Sequence, residues 1–250
     1  PRGTKRFFNA TKLREAMARL SRKDMNPQGV GAGSDLGMRQ DGCALVIAKR
    51  YSDMMIGIPL MKIKHPIDGY LVPSEVCSEF ADLARKHGAA AVAADGQYVE
   101  TYREHLSAVQ LGLLDAPSGR EGKVGMFTAA RQVFHDDRVC LGDMDEDERE
   151  DLVDQLSRIT TKKLPGGGEE IIVPRRVVRN EADAGQATTD HCDGAAAFVL
   201  ALWACGAGAG VNIAQGAPVS VPQTAAPPRT DGAPKVRGVS FGAVQKRHGR

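Results

Sequence analysis

Between Gly29 and Ile63 the chain makes three extended runs with few residues between them, and this leaves little choice of fold. Gly29–Leu36 enters a turn-rich hexapeptide, Gly37-Met-Arg-Gln-Asp-Gly42, and Cys43–Tyr51 and Met54–Ile63 follow. Connections this short join antiparallel neighbours, because a parallel return needs a crossover of a dozen or more residues. The runs therefore predict a three-stranded meander. Pro59 has no N–H to give to a ladder and marks the third strand as a sheet edge.

From Pro73 onward the spacing of apolar residues changes. Val76, Phe80, Leu83 and Ala84 share one helical face that closes at Gly88, with Ser74 as the expected N-cap. Ala89–Ala94 is a short apolar run of the kind buried on both faces in parallel sheets. Helices are expected over Tyr98–Leu106, Lys123–Phe134, Glu146–Leu156 and Asp193–Trp203, and strands over Val109–Leu113 and Arg138–Leu141. Thr160–Val173 reads as a hairpin turning at Pro165–Gly168. A meander followed by alternating helices and parallel strands is an α/β plan with a mixed central sheet flanked by helices.

Both ends of the chain look different from this middle. Residues 1–28 are basic, with Leu13, Met17 and Leu20 on one helical face, and are expected to form a linker with an entry helix. Residues 29–205 form the folded domain. Residues 206–250 are rich in Gly, Ala and Pro, end in Lys246, Arg247 and Arg250, and predict a flexible basic tail. The first residue is Pro1 rather than Met, so we expect one part of a longer polypeptide.

The composition narrows the class. The longest apolar run, Ala195–Ala204, is about half of what a bilayer crossing needs, and the first residues lack a signal-peptide core, so no membrane role is expected. Five scattered cysteines without a CxxC pair argue against a zinc ribbon or a thioredoxin-type site, and read as small core residues in a reducing compartment. A net charge of +2 means that any nucleic-acid surface must come from local clusters.

Three aspartates stand where apolar elements meet turns. Asp35 ends the first meander strand, Asp95 ends the run Ala89–Ala94, and Asp193 opens the apolar helix Gly194–Trp203. Taken singly, each is explained as a turn former or an N-cap. Converging at one sheet edge, they would form an all-oxygen cage for hard divalent cations. Two such metals about 3.5–4 Å apart activate a water and stabilise the leaving oxygen of a phosphodiester displacement.

Their order along the elements resembles a ribonuclease-H-like nuclease fold. Gly33-Ser-Asp-Leu-Gly37, then Asp41 and the apolar strand Cys43–Ala48, resembles the first-acid motif of phage large-terminase nuclease domains. The run from Asp154 through Leu164-Pro-Gly-Gly-Gly168 resembles that family's approach to a β-hairpin, and His191-Cys-Asp193-Gly-Ala-Ala-Ala its third-acid helix. The resemblance covers about residues 30–205. It implies Asp35, Asp95 and Asp193 as catalytic metal ligands, with Asp41, Asp190 and His191 as accessory candidates, and two Mg²⁺ or Mn²⁺ ions as cofactors. It also implies cutting of concatemeric double-stranded DNA in the bacterial host's cytoplasm, with a portal protein and a small terminase subunit as partners. The family's packaging ATPase has no counterpart here: no GxxxxGK[ST] loop is present, and Gly29–Gly33 lacks a lysine and leads into a strand.

Basic residues around the acids would meet phosphates. The candidates are Arg39, Lys49 and Arg50, Lys162 and Lys163, and Arg175, Arg176 and Arg179; a solvated charged face is the alternative for each. The acid-rich run Asp143–Asp151 lacks the order and glycine of a calcium loop and reads as the start of a helix. Two other readings stay open: another nuclease of the same fold, such as a Holliday-junction resolvase or a transposase, and a non-catalytic module that binds DNA or a portal.

Overall fold

A computed structural model describes residues 4–21, 25–37, 42–66, 70–96, 98–164, 168–174, 176–179, 187–190 and 192–206. The tail expected over 206–250 lies outside these residues apart from Gly206. The meander is present: β2 (Gly29–Leu36), β3 (Cys43–Arg50) and β4 (Ile56–Lys64) pair antiparallel, after β1 (Thr4–Arg6) and α1 (Ala10–Ala18). Then come α2 (Pro73–Lys86), β5 (Ala91–Gly96), α3 (Val99–Ala108), β6 (Gly112–Asp115), α4 (Gly119–His135), β7 (Val139–Cys140) and α5 (Glu146–Arg158). The last elements are β8 (Thr160–Lys163), β9 (Glu169–Ile172), β10 (Arg176–Arg179), β11 (Ala187–Asp190) and α6 (Asp193–Ala204).

Six strands form the central sheet in the order β6-β5-β2-β3-β4-β7, with β5 parallel to both β2 and β6. It is the mixed sheet expected from the sequence. The apolar run of β3 is explained by burial on both faces. Ala44, Val46 and Ala48 pack toward α6, α4 and α5, while Cys43, Leu45 and Ile47 pack toward α2 and α3. α6 sits within the first of these cores and is buried at Ala195, Ala197, Phe198 and Val199. Among the described residues, no helix is long and apolar enough to cross a membrane.

Several details differ from expectation. The N-terminal segment is more than a linker with a helix: β1 pairs with β8, and Phe7 and Phe8 are buried in the α6-side core. Asn9 caps α1 by accepting from the Thr11 and Lys12 N–H groups, and the helix ends at Ala18, which leaves Leu20 exposed rather than on its apolar face. Pro73 takes the first position of α2, where its missing N–H costs nothing, so Ser74 is not the N-cap. β6 begins three residues later than expected, because Gln110 turns the chain at φ 61°. In strand order β4 is not the edge, since β7 pairs with its first two residues; Pro59 falls where the β3–β4 register shifts, another place a ladder tolerates proline. The hairpin at Thr160–Val173 is present as β8 and β9, in a separate sheet with β1, and residues 165–167 of its turn lie outside the described residues.

Candidate active site

Glycines on β2 decide where the acids fall. Gly31, Gly33 and Asp35 alternate along one face of the strand, and α6 lies directly on that face. A Cβ on Gly33 would stand 2.2 Å from the Ala197 carbonyl oxygen and 2.2 Å from the Ala201 nitrogen, and one on Gly31 would stand 2.3 Å from the Cys205 nitrogen. Only glycine permits so close a backbone approach. The helix runs opposite to the strand. From Gly33 forward to Asp35 is about 6.6 Å of strand, and from Ala197 back to Asp193 is about 6 Å of helix. Asp193, the first residue of α6, therefore comes level with Asp35.

Asp95 completes the row at the backbone. It pairs in parallel register with Asp35 on the neighbouring strand, and adjacent strands lie about 4.8 Å apart. β2, β5 and α6 thus each carry an acid near one end of the sheet, Asp95 being described through its backbone.

Asp193 is buried and follows Cys192, whose φ of 57° turns the chain into the helix. Its Oδ2 lies over Gly42, where a Cβ would come within 2.8 Å of that oxygen and 3.5 Å of His65 Nδ1. Both carboxylates are felt by Cys43. Burial pushes this thiol up to about 12, and Asp193 and Asp35 push it the same way. Cys43 is thus a protonated core residue beside the acids, as expected of the cysteines in general.

A cavity of about 140 Å³ opens beside Asp35, walled by Phe127, Val199 and Leu200, with Lys123 of α4 also on its lining. The sequence reading missed Lys123 and His65 as site neighbours. Neither has a spacing signal; each arrives through the ends of α4 and β4. Among the described residues no group of three His, Cys, Asp or Glu side chains could hold a metal, the Asp95 side chain not being among them.

The basic candidates scatter. Lys49 and Arg50 pair with Val30 and Gly29, at the far end of β2, roughly 20 Å of strand from Asp35. Lys162 and Lys163 stand opposite Glu170 and Glu169 across the β8–β9 ladder, so their charge is offset locally. Arg176 and Arg179 lie on β10, which pairs with β11 so that Arg176 faces Asp190, three residues before Asp193. The sequence reading did not anticipate this second ribbon. Arg39, Asp41, Arg175 and His191 lie outside the described residues.

Solved structures similar to this chain include phage large terminases and their nuclease domains. The chain superposes on the large terminase of bacteriophage HK97 with a TM-score of 0.59 at 16% identity, over 80% of this chain and 43% of that one. This is the fold of a large-terminase nuclease domain. The nuclease of the large terminase from thermophilic phage G20c matches with a TM-score of 0.55 at 16% identity, over 79% of this chain and 97% of that one. The nuclease domain of the large terminase subunit gp2 of bacterial virus Sf6 matches with a TM-score of 0.56 at 15% identity, over 79% and 98%. The G20c nuclease has been solved with magnesium and the Sf6 domain with manganese. The chain thus spans less than half of the HK97 large terminase and the length of an isolated nuclease domain. No family model and no curated protein matches it. The ribonuclease-H-like, terminase-type fold implied by the sequence motifs is the fold observed.

Proposed function

We propose that the chain is a metal-dependent endodeoxyribonuclease, the nuclease part of a viral DNA-packaging terminase large subunit, with Asp35, Asp95 and Asp193 as its catalytic metal ligands. The observation that carries this reading is the alignment of three acid-bearing positions at one sheet end: Asp35 and Asp95 in parallel register, and Asp193 on the helix seated against β2. The donor set fits the ion class, since carboxylate oxygens on rigid elements suit Mg²⁺ and Mn²⁺. The G20c nuclease has been solved with magnesium and with cobalt, and the Sf6 domain with manganese and with calcium, all of them divalent metals. When bound, such ions lower the pKa of water and neutralise charge on the leaving oxygen of an in-line displacement.

The chain's own residues supply the frame. Asp35 is held by the β2–β3 ladder and Asp193 by the first turn of α6. Lys123, on the same cavity as Asp35, offers positive charge to a phosphate drawn toward the acids. Arg176 and Arg179 on the ribbon leading toward Asp193, together with Arg39 and Arg175, are proposed to guide the duplex, and Asp41 and Asp190 are accessory ligand candidates. Lys49 and Arg50 would serve only a duplex that extends well beyond the acids; Lys162 and Lys163 are proposed as further phosphate contacts, their charge offset by Glu170 and Glu169. The substrate proposed is concatemeric double-stranded DNA in the bacterial host's cytoplasm, with the ATPase, portal protein and small subunit as working partners.

Plasmid cleavage with Mn²⁺, Mg²⁺ or EDTA tests the reading. Metal-dependent nicking and linearisation by the wild-type chain, abolished in Asp35→Asn and Asp193→Asn at unchanged melting temperature, is the expected result. A folded wild-type protein that cuts DNA with none of these metals would overturn it.

A further inference from the structure

A buried amide reaches the start of α6 from another helix. Gln155 of α5 is 1% exposed. Its Oε1 accepts from the Ala195 N–H at 3.0 Å, and its Nε2 donates to Asp151 Oδ2 at 2.9 Å, one turn earlier on α5. The first N–H groups of a helix have no partner within it. α6 has no side-chain cap of its own, because Cys192 at its N-cap contributes no side-chain hydrogen bond. The Ala195 N–H, two residues beyond Asp193, is satisfied from α5 instead.

The surroundings fix this contact. A Cβ on Gly194 would stand 3.0 Å from Gln155 Oε1 and 2.7 Å from Met61 Sδ, so the absence of a side chain there lets the amide in. The orientation of the amide is also determined. Reversed, it would turn its NH₂ against the Ala195 N–H and its oxygen against the Asp151 carboxylate, two repulsive contacts in place of two bonds.

We infer that Gln155 is a positioning residue for Asp193, and that Asp151 holds it to that task. The inference rests on the nuclease reading above. Gln155 sits on neither the cavity nor the acid row. It sets the first turn of α6, and with it the place of the Asp193 carboxylate relative to Asp35. Groups that orient a metal ligand in this way change metal affinity or activity by about 10–100-fold when they are removed.

An exchange of partners separates positioning from general support of the fold. Gln155→Glu sets a carboxylate against Asp151. Gln155→Glu combined with Asp151→Asn leaves the Ala195 N–H donating to position 155 and restores the 155–151 hydrogen bond with donor and acceptor swapped, at unchanged net charge. Mn²⁺ affinity would be measured by paramagnetic titration, alongside cleavage and melting temperature, on the full chain. Gln155→Glu and Gln155→Leu are expected to weaken Mn²⁺ binding and cleavage by about 10–100-fold, and the double variant to return both to within a few-fold of wild type. Wild-type Mn²⁺ affinity in the single variants overturns the inference. So does a double variant that regains its melting temperature without regaining Mn²⁺ affinity, which would make Gln155 a support of the fold alone. If Gln155→Leu does not fold, the exchange pair decides. A wild-type chain that neither binds Mn²⁺ nor cuts DNA instead removes the nuclease reading, and the inference falls with it.

Discussion

Gly33 lies so close beneath α6 that a Cβ on it would stand 2.2 Å from the Ala197 carbonyl oxygen. Strand and helix meet there backbone to backbone, and this contact sets Asp193 level with Asp35. Gly33→Ala must push α6 away from β2, because neither neighbouring backbone atom can swing aside. The expected cost is at or above the upper end of ordinary overpacking, about 3 kcal/mol, read as a lowered urea midpoint. Gly125→Ala on α4 is the control: nothing lies within 4 Å of a Cβ there. It should gain up to about 1 kcal/mol from helix propensity.

Phe8 is 2% exposed and meets Phe134 edge-on, with ring centroids 5.6 Å apart. The segment before α1 is therefore part of the core. Phe8→Ala should destabilise the chain by about 3–5 kcal/mol, seen in denaturant unfolding. A stability within 0.5 kcal/mol of wild type would return residues 4–8 to the role of a linker.

Asp137 joins the turn after α4 to the first helix. It accepts from Lys12 Nζ at 2.7 Å and Arg19 Nη2 at 3.0 Å. The Lys12 hydrogen bond, with Arg19 adding to it, holds this carboxyl below its ordinary value of 3.8. A carboxyl depressed on folding adds stability above its unfolded pKa and loses it as pH falls through the folded value. Asp137→Asn, which tolerates the φ of 59° at this position, should melt below wild type at neutral pH. The gap should close as pH drops below 3.8, and narrow in high salt because the groups are partly exposed. Melting curves across pH and salt check it.

The parts of the fold that were legible in the sequence are those whose burial leaves a mark on residue type. Cys43–Ala48 and Ala91–Ala94 are apolar without interruption because both faces are covered, and short turns forced the meander. Asp35 and Asp193 stood out because each interrupts or begins an apolar element. Polar pairings left no such mark. Thr4–Arg6 joins the expected hairpin by pairing with Thr160–Lys162, and β10–β11 matches Arg176 with Asp190; neither β1 nor β10–β11 was read as strand. Phe7 and Phe8 were hidden in a basic segment. Lys49 and Arg50 were counted among the basic residues around the acids, but a run of residues does not reveal which end of the sheet its last members reach. Gln155 looked like one more polar residue on an acidic helix, and its meaning comes from a partner forty positions away.

Because α6 follows every strand of the central sheet in the chain, the proposed cutting centre cannot be assembled early during synthesis. A nascent chain that has emerged through β7 contains all six strands of the central sheet, including those that carry Asp35 and Asp95, but not the helix that covers the glycine face of β2. The third carboxylate arrives only when residues 193–204 leave the ribosome and dock there. Order of translation would then act as a safeguard, keeping a DNA-cutting activity from a polypeptide that is still being made.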